Sequence, residues 1–589
     1  MITLRAFTQR LTTTALLLWL PTAATAGECG ASATQISRIQ GENGRSPLAG
    51  QTVTVEGVIT MDARHKGGFR GFYLQQADGE TDGNPKTSEA LFVYTGRSAG
   101  SKGQRVRVSG RVKEFHELTE LTDVDTLTVC GISRLPEPVS VTLPWPGNRQ
   151  PEHLENMLVT IADNLTVIDH YNLARYGELT LAAGNQIIPT EFMEPGPAAD
   201  ALFRSQQENR VLLDDGKGVR NPRPVPWPPG NLSAGNTVRA GDHITRLTGI
   251  LDFRFDAWRV QPLSPPVFQR ANPRPDPPAR PDSSTLRVMT LNLGNLFNGD
   301  GRGGGFPAPR GAKSGKQFER QLARLVTTLS APGPDIIAVT EVENDGYGRH
   351  SAIAELTGAL GEHWRYVKAD SNTGNDAIRT DLLYRSDRVT AQGSASRLAA
   401  GPFRHRGRPP VAQVFHPKGS NRALRVVVTH LKSKACRGAE GPDRDQNDGQ
   451  GCYSHSREQA TRAILRWTDS LPQTGNLVGT LITGDMNSYA RETPLQLMAR
   501  AGYINAVRRL HACNRINCDH TSYRYRGRSG TLDYSLVSEA LAGYLVGAST
   551  WSVNTDEPRA LDYQGPVPVD GDQPWRSSDH DPVITDFSL

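Results

Sequence analysis

Ser577-Ser578-Asp579-His580-Asp581-Pro582-Val583, close to the carboxyl terminus, is the stretch whose reading decides the fold. It sets an imidazole between two carboxylates just ahead of a short apolar run. Alone, such a pair is an ordinary loop feature. Its company upstream is not ordinary: Leu291-Asn292-Leu293-Gly294-Asn295, Val339-Thr340-Glu341-Val342-Glu343, Val428-Thr429-His430-Leu431-Lys432-Ser433-Lys434, Thr483-Gly484-Asp485-Met486-Asn487-Ser488 and Thr531-Leu532-Asp533-Tyr534. Most of these place Asn, Glu, His or Asp at the carboxyl end of an apolar, strand-like run.

A chain of 589 residues exceeds one core, so two to four domains are expected. Residues 1–26 read as a signal peptide. Arg5 and Arg10 precede the apolar run Ala15-Leu16-Leu17-Leu18-Trp19-Leu20, and Ala24-Thr25-Ala26 supplies small residues for cleavage, so the exported chain starts near Gly27. A membrane anchor would need about 20 apolar residues, and no segment of the chain is that long. Six cysteines, Cys29, Cys130, Cys436, Cys452, Cys513 and Cys518, suit an oxidising compartment. Six allow 15 pairings; pairing between successive cysteines is favoured, and the absence of a Cys-x-x-Cys pair weighs against zinc. A net charge of +5 is compatible with a polyanionic substrate without identifying one.

Residues 27–135 alternate at period two, as in Thr52-Val53-Thr54-Val55 and Arg105-Val106-Arg107-Val108. Gly57 and Gly110 inside these runs suggest bulges, and a five-stranded oligonucleotide/oligosaccharide-binding (OB-fold-like) barrel fits the spacing. Residues 136–265 read as a second β-rich module with large loops. Residues 266–284 are Pro-rich and predict an extended linker. Residues 285–589 are mixed: Phe318, Leu322, Leu325, Val326 and Leu329 share one helical face, and Ser456 with Gln459 has capping-box spacing. A sheet sandwich flanked by helices accommodates this part. The fold class is therefore multidomain, all-β modules followed by an α/β four-layer sandwich.

Residues 285–589 resemble the endonuclease/exonuclease/phosphatase superfamily, the DNase I-like fold. The order Asn, Glu, His-Leu, Gly-Asp-x-Asn, Asp-Tyr, Ser-Asp-His is reproduced by Asn292, Glu341, His430-Leu431, Gly484-Asp485-Met486-Asn487, Asp533-Tyr534 and Ser578-Asp579-His580. Residues 30–265 resemble the amino-terminal region of large secreted bacterial nucleases through Ser46-Pro47-Leu48-Ala49-Gly50, Gly71-Phe72-Tyr73-Leu74-Gln75 and Arg175-Tyr176-Gly177-Glu178-Leu179-Thr180-Leu181. One departure is Gly294, where some relatives carry Asp two residues after the first Asn; this argues against close kinship with abasic-site repair enzymes.

Phosphodiester hydrolysis needs an activated water, neutralised phosphate charge and a stabilised leaving oxygen. Carboxylates mixed with amides suit Mg²⁺ or Mn²⁺, with Ca²⁺ as an alternative. Asn292 and Glu341 form the first expected metal position. Asp485, Asn487 and Asp579 form the second, or orient the phosphate. The resemblance implies that His580 is the general base and that Asp533 fixes its tautomer. His430 is the acid partner or a phosphate ligand, with Asp376 as a candidate to orient it. Asn295, Lys432 and Arg526 are the expected substrate contacts, and Asp581 is expected to be structural. Phe403-Arg404-His405-Arg406-Gly407-Arg408 and Tyr523-Arg524-Tyr525-Arg526-Gly527-Arg528 interleave aromatics with arginine, which suits a nucleic-acid backbone and stacked bases. The expected function is a monomeric, exported nuclease, extracellular or periplasmic, acting on DNA and on RNA with little sequence preference. The alternatives are a phosphatase or phospholipase on the same fold, or a polyanion-binding adhesin.

Overall fold

The computed structural model describes residues 28–145, 151–369, 373–404, 407–473, 475–515 and 518–589. The signal-peptide reading at 1–26 lies outside them, as do His405 and Arg406 of the first arginine-aromatic stretch. No helix among the described residues is long and apolar enough to cross a membrane.

Five strands close a barrel at the amino terminus: Thr52–Asp62, Gly71–Gln75, Ala90–Tyr94, Leu118–Ile132 and Gln104–Phe115, the last pairing back onto the first. Alternation puts Val55, Ile59, Leu74, Val93, Val106 and Val108 inside. Gly110 sits at a register shift against strand Leu118–Ile132, as a bulge requires. Gly57 does not; its register is regular, and glycine is needed because a Cβ there would lie 2.8 Å from the Gln75 carbonyl oxygen. The Cys29–Cys130 disulfide ties the segment entering the barrel to its longest strand.

Seven strands form the next module, in the order Phe268–Gln269, His243–Arg254, Ala257–Pro262, Val211–Leu213, Leu179–Ala183, Leu158–Asp169 and Val139–Val141. His243–Arg254 also pairs with Leu158–Asp169, so the sheet curls onto itself. Its core is not self-contained: Ala560, Leu561, Val567 and Val569, from far downstream, pack into it with Val225, Trp227 and Leu251. The Pro-rich segment that follows is extended, because proline has no N–H to give a ladder. It is nevertheless strapped down. Arg274 donates to both carboxylate oxygens of Glu557 at 2.7 and 2.8 Å, and the Trp551 indole donates to the Pro275 carbonyl at 3.1 Å.

Two six-stranded sheets then stack face to face. One runs Trp364–Tyr366, Ile378–Arg385, Ile336–Glu343, Leu286–Leu296, Val583–Phe587, Leu545–Thr550; the other runs Val389–Arg397, Arg408–Pro417, Ala423–His430, Leu477–Asp485, Asp533–Ser538, Tyr503–Asn505. The central strands are apolar on both faces because both are covered. Val288, Ala338, Val426, Val428 and Leu481 fill the layer between the sheets. Met289, Leu291, Ile337 and Val339 meet Leu325 and Leu329 of the outer helix Gly315–Ser330, and Ile464 of helix Ser454–Ser470 covers the other side. The capping-box expectation fails in detail: Ser456 lies inside its helix, and Asp443 from the preceding loop accepts from the Ser456 amide at 2.9 Å and hydroxyl at 2.6 Å. A carboxylate there satisfies an orphan amide and opposes the helix dipole.

The disulfides are Cys29–Cys130, Cys436–Cys452 and Cys513–Cys518, the successive pairing expected from the sequence. Cys436–Cys452 closes a polar loop directly after the His430 strand, and Cys436 itself lines the main cavity. Closing a loop of this size stabilises by about 3 kcal/mol in the chain-entropy model. The double variant Cys436→Ala/Cys452→Ala is therefore expected to lower the denaturation free energy by that order and to reduce turnover. Unchanged stability and turnover in urea titration and activity assays would contradict it.

Candidate active site

Strand direction brings the six motif pieces to one edge. Leu286–Leu296 runs parallel to Ile336–Glu343, and Ala423–His430 runs parallel to Leu477–Asp485, so Asn292, Glu341, His430 and Asp485 approach the same edge at carboxyl ends. Asp533–Ser538 and Val583–Phe587 run antiparallel to those pairs, so their amino ends bring Asp533, Asp579 and His580 to it too. The register is direct: His430 lies opposite Asp485, and Asp485 opposite Asp533.

Bulges then aim the side chains. The ladder between Leu286–Leu296 and Ile336–Glu343 breaks between Asn292 and Leu296, and the next ladder breaks between Val339 and Val342. Asn295, Glu341 and Asn487 adopt positive φ of 60°, 62° and 45°. A left-handed carboxylate at a strand end is strained, and such strain gathers where a side chain must be aimed. The Asn295 amide donates to Glu341 Oε2 at 2.6 Å. Gly294 takes a positive φ of 65°, which favours glycine; a Cβ there would meet Asp579 Oδ1 and Ser578 Oγ only in ordinary contact, at 3.5 Å.

His580 Nδ1 and Asp533 Oδ2 lie 2.7 Å apart, and the Ser522 hydroxyl donates to the same oxygen at 2.8 Å. This bond fixes Nδ1 as the protonated nitrogen and leaves Nε2 for chemistry. Burial works against the charged imidazole, but the carboxylates of Asp533, Asp485 and Asp579 outweigh it and hold its pKa well above the ordinary value. The Tyr523 ring lies against His580, with centroids 4.7 Å apart. The backbone amide of His580 donates to Ser578 Oγ at 3.2 Å, and that hydroxyl donates to the Asn292 carbonyl at 2.6 Å, linking the first and last motifs.

Asp485 is the hub of the second group. Its Oδ2 accepts from Asn292 Nδ2 at 3.1 Å and lies 3.3 Å from His430 Nε2; its Oδ1 accepts from the Asn487 amide at 2.8 Å. Burial and the neighbouring Arg408 guanidinium push His430 down to about 4 despite Asp485, so this imidazole is neutral at neutral pH. Asp485 is held below the usual carboxylate range: His430, His580 and the Asn487 amide overcome its burial. Glu341 is pushed up to about 7, first by burial and then by the charge of Asp579.

Glu341, Asp376, His430, Lys432, Asp485, Asn487, Arg526, Asp579 and His580 all line one cavity of about 600 Å³.

The family model described as the Endonuclease/Exonuclease/phosphatase family matches residues 289–580. Those residues are an endonuclease/exonuclease/phosphatase domain. Enzymes of this superfamily are hydrolytic phosphoesterases, typically dependent on a divalent metal ion. No curated protein sequence matches the chain. Among solved structures, the human nocturnin catalytic domain with bound sulfate is 17% identical, covering 52% of this chain and 94% of its own, at a TM-score of 0.34. Humanized D. rerio TDP2 is 14% identical over 52% of this chain and 100% of its own, at 0.34. A Bacteroides thetaiotaomicron mannosyl-6-phosphatase is also 14% identical over 52% and 100%, at 0.34.

Within the endonuclease/exonuclease/phosphatase domain several sequence expectations change. Asp376 does not orient His430: its carboxylate faces Arg310 at 3.3 Å and Arg408 at 3.4 Å, and His430 Nδ1 has no hydrogen-bond partner among the described residues. Asn295 borders a neighbouring cavity and holds Glu341 rather than reaching into the main one. Asn487 spends its amide nitrogen on the Leu431 carbonyl at 3.1 Å. Lys432 lies over the Tyr453 ring at 4.8 Å, and Arg526 over Tyr525 at 5.4 Å. Asp581 is structural, accepting from the Asn554 amide at 2.7 Å. The Tyr523–Tyr525 and Arg528–Gly530 hairpin does overhang the cavity, but Arg528 points away from it, into the β-module. Phe403 is core and Arg408 is buried, so the first arginine-aromatic stretch presents neither to solvent.

Ser522 and Arg457 escaped sequence reasoning, and Tyr523, expected to face nucleic acid, also packs against His580. Arg457 is fully buried and donates to the carbonyls of Cys452 and Gln450 at 2.7 and 2.8 Å and to Ser488 Oγ at 3.1 Å, holding the disulfide loop against the Asp485 loop. Nothing in its helical setting, Glu458 and Gln459 beside it, distinguishes it from a solvated arginine.

Proposed function

We propose that this chain is an exported, divalent-metal-dependent nuclease that hydrolyses DNA, and RNA as well, with little sequence preference. One observation carries the reading: the His580–Asp533 pair faces a cavity whose walls join Glu341, Asp485 and Asp579 to the aromatic and arginine side chains of Tyr489, Tyr523, Tyr525 and Arg526. Carboxylates and a base suit a phosphodiester; tyrosines and arginine beside them suit bases and a second phosphate.

The donor set fits a hard cation. Glu341 is raised first by burial and then by the charge of Asp579, and a divalent ion held by both carboxylates would relieve that repulsion. Asp485, Asp533 and His580 also gather ligand atoms within 4.8 Å of one another, but the short His580–Asp533 bond already occupies that set. Glu341, Asn292 and Asp579 would therefore hold Mg²⁺ or Mn²⁺, with Ca²⁺ as an alternative, and the ion would supply charge neutralisation at the phosphate and the leaving oxygen.

The protein's own groups do the rest. His580, in its neutral form, accepts the water proton at Nε2 as the water oxygen bonds to phosphorus; the bond from phosphorus to the leaving sugar oxygen breaks, and that oxygen is protonated by solvent water, while the His580 proton later passes to solvent. Asp533 holds the imidazole and stabilises its charge. His430, kept neutral, fixes Asp485 rather than serving as an acid, and Asp485 in turn fixes Asn292. Export is supported by the basic-apolar-small pattern of residues 1–26 and by three disulfides. The barrel, with its closed order of five strands, is read as an OB-like substrate-gathering module.

The test is a substrate panel of supercoiled DNA, RNA, an inositol phosphate and sphingomyelin, with Mg²⁺ and with excess chelator. Both polymers are expected to be cut only in the presence of metal. Faster turnover of the inositol phosphate or lipid would favour the alternative esterases, and tight DNA or heparin binding without turnover would favour an adhesin.

A further inference from the structure

The main cavity has a neighbour of about 430 Å³, and the two share Tyr523 and Asp579 in their walls. The reacting groups thus sit at a junction, not at the bottom of a blind pocket. Each cavity also has a wall from the second β-module, outside the residues that the family model matches. In the main cavity that wall includes Thr190 and Phe203; in its neighbour it includes Tyr171.

These walls are fixed to the phosphoesterase domain. The Ile188 amide donates to the Ser529 carbonyl at 2.9 Å, and the Ser529 amide donates to the Gln186 carbonyl at 2.9 Å, a bridge between the two units. The Thr190 hydroxyl donates to Glu492 at 2.9 Å, and Glu492 also binds Lys434 in the cavity wall. Arg528 lies 3.8 Å from the Phe203 ring centroid and donates to the Phe203 carbonyl at 3.0 Å, so one face of the ring is covered. Gly530 is required at this seam: a Cβ would lie 2.6 Å from the Tyr489 ring and 3.2 Å from Ile188.

The neighbouring cavity carries Arg524, Arg559 and Arg576. Arg559 sits 5.0 Å over the Tyr171 ring, and Tyr171 is 58% exposed. Arg524 Nη1 and Arg576 Nε are buried and have no hydrogen-bond partner among the described residues. Through other nitrogens Arg524 is already paired with Asp556 at 2.6 Å and Arg576 with the Asn554 carbonyl at 2.9 Å, so these two add positive charge to the wall, while the exposed Arg559 is placed to meet a phosphate oxygen.

We propose that a single-stranded polynucleotide threads between the phosphoesterase domain and the second β-module, filling both cavities at once, so that cleavage is internal. The strand crosses the junction with its reacting phosphate at His580 and Asp579. Bases on one side stack in the main cavity, against Phe203 among others; on the other side the next phosphates meet the arginines beside Tyr171. A site open on both sides accommodates a strand with no end nearby. The inference rests on the nuclease reading above.

The test uses the full chain with Mg²⁺ on a covalently closed single-stranded DNA circle and on a linear strand of the same sequence. In parallel, kcat/KM is measured for a strand of about 20 nucleotides and for a dinucleotide, in the wild type and in Tyr171→Ala, Phe203→Ala and Arg559→Gln. The circle is expected to be opened as fast as the linear strand is cut, and the strand-to-dinucleotide ratio of kcat/KM is expected to fall about tenfold in each variant. Melting by circular dichroism confirms folding, and Tyr171 and Arg559 are exposed enough to be replaced without loss of core. A circle that resists while the linear strand erodes from an end overturns the proposal, as does an unchanged ratio in all three folded variants. Failure to cut the circle, the linear strand and the dinucleotide alike would overturn the nuclease reading, and this inference with it.

Discussion

His580→Ala is expected to lower kcat on DNA by at least about 10²-fold, the range lost when a positioned general base is removed. The imidazole is fixed from three sides: Asp533 at Nδ1, Tyr523 against the ring and Ser578 at the backbone amide. A side chain so held contributes orientation as well as basicity, and water supplied in its place has neither. In the wild type the rate also falls as the pH is lowered through the His580 pKa, because an imidazolium has no lone pair with which to accept the proton; the carboxylates of Asp533, Asp485 and Asp579 hold that pKa well above the ordinary histidine value, so the limb lies on the alkaline side of it. The residual rate of the variant should lack that acid limb. A pH–rate profile of both proteins decides it: near-normal cleavage by His580→Ala, with the limb intact, would sink the assignment.

The second large effect concerns the β-modules. A Pro-rich stretch before residue 285 suggests a catalytic unit that works when cut free, yet the interface argues otherwise. Glu557 is fully buried between Arg239 and Arg274, both supplied by residues before 285. Glu191, from the second module, accepts from the Thr531 amide at 3.0 Å and from Arg508 at 3.1 Å. Removing one partner of a buried pair costs about 3–5 kcal/mol, against a typical total stability of about 5–15 kcal/mol. Ala560, Leu561, Val567 and Val569 would lose the core they belong to. A fragment starting at Ser284 is therefore expected to aggregate or to melt far below the full chain, with turnover of short oligonucleotides largely lost. Size-exclusion chromatography, circular dichroism and oligonucleotide cleavage check this; a soluble, cooperatively folded fragment with full kcat would show that the modules are dispensable.

Much of the site was legible because strand ends leave a strong signature. Apolar runs closed by Asn292, Glu341, His430 and Asp485 say where chemistry-bearing groups lie along the chain, and parallel pairing brings them to one edge. Two of the cysteine pairings were legible for a similar reason, since the loops 436–452 and 513–518 are short enough to close locally; Cys29–Cys130, separated by 101 residues, is closed instead by the barrel. What the sequence could not convey is aim. Nothing in Val339-Thr340-Glu341 announces a break in the ladder, so the left-handed Glu341 and its hold on Asn295 emerge only with the neighbouring strand in place. Asp376 was open to misreading because an acidic residue is a ready candidate to orient a histidine, and only the positions of Arg310 and Arg408 show where its carboxylate is spent. The contribution of residues 188–203 was invisible because much of it is made through backbone, as between Ile188 and Ser529, and backbone contacts leave no residue-type signal.

The central claim is that one edge of the sheet sandwich is a metal-assisted phosphodiesterase. It is tested most directly by acid-soluble nucleotide release from DNA by the full chain, measured in Mg²⁺, after excess chelator and after Mg²⁺ is restored. Release is expected in the first and third conditions and to be abolished in the second, with Glu341→Ala lacking recovery. Release that continues unchanged in chelator, or that Glu341→Ala sustains at the wild-type rate, would contradict it.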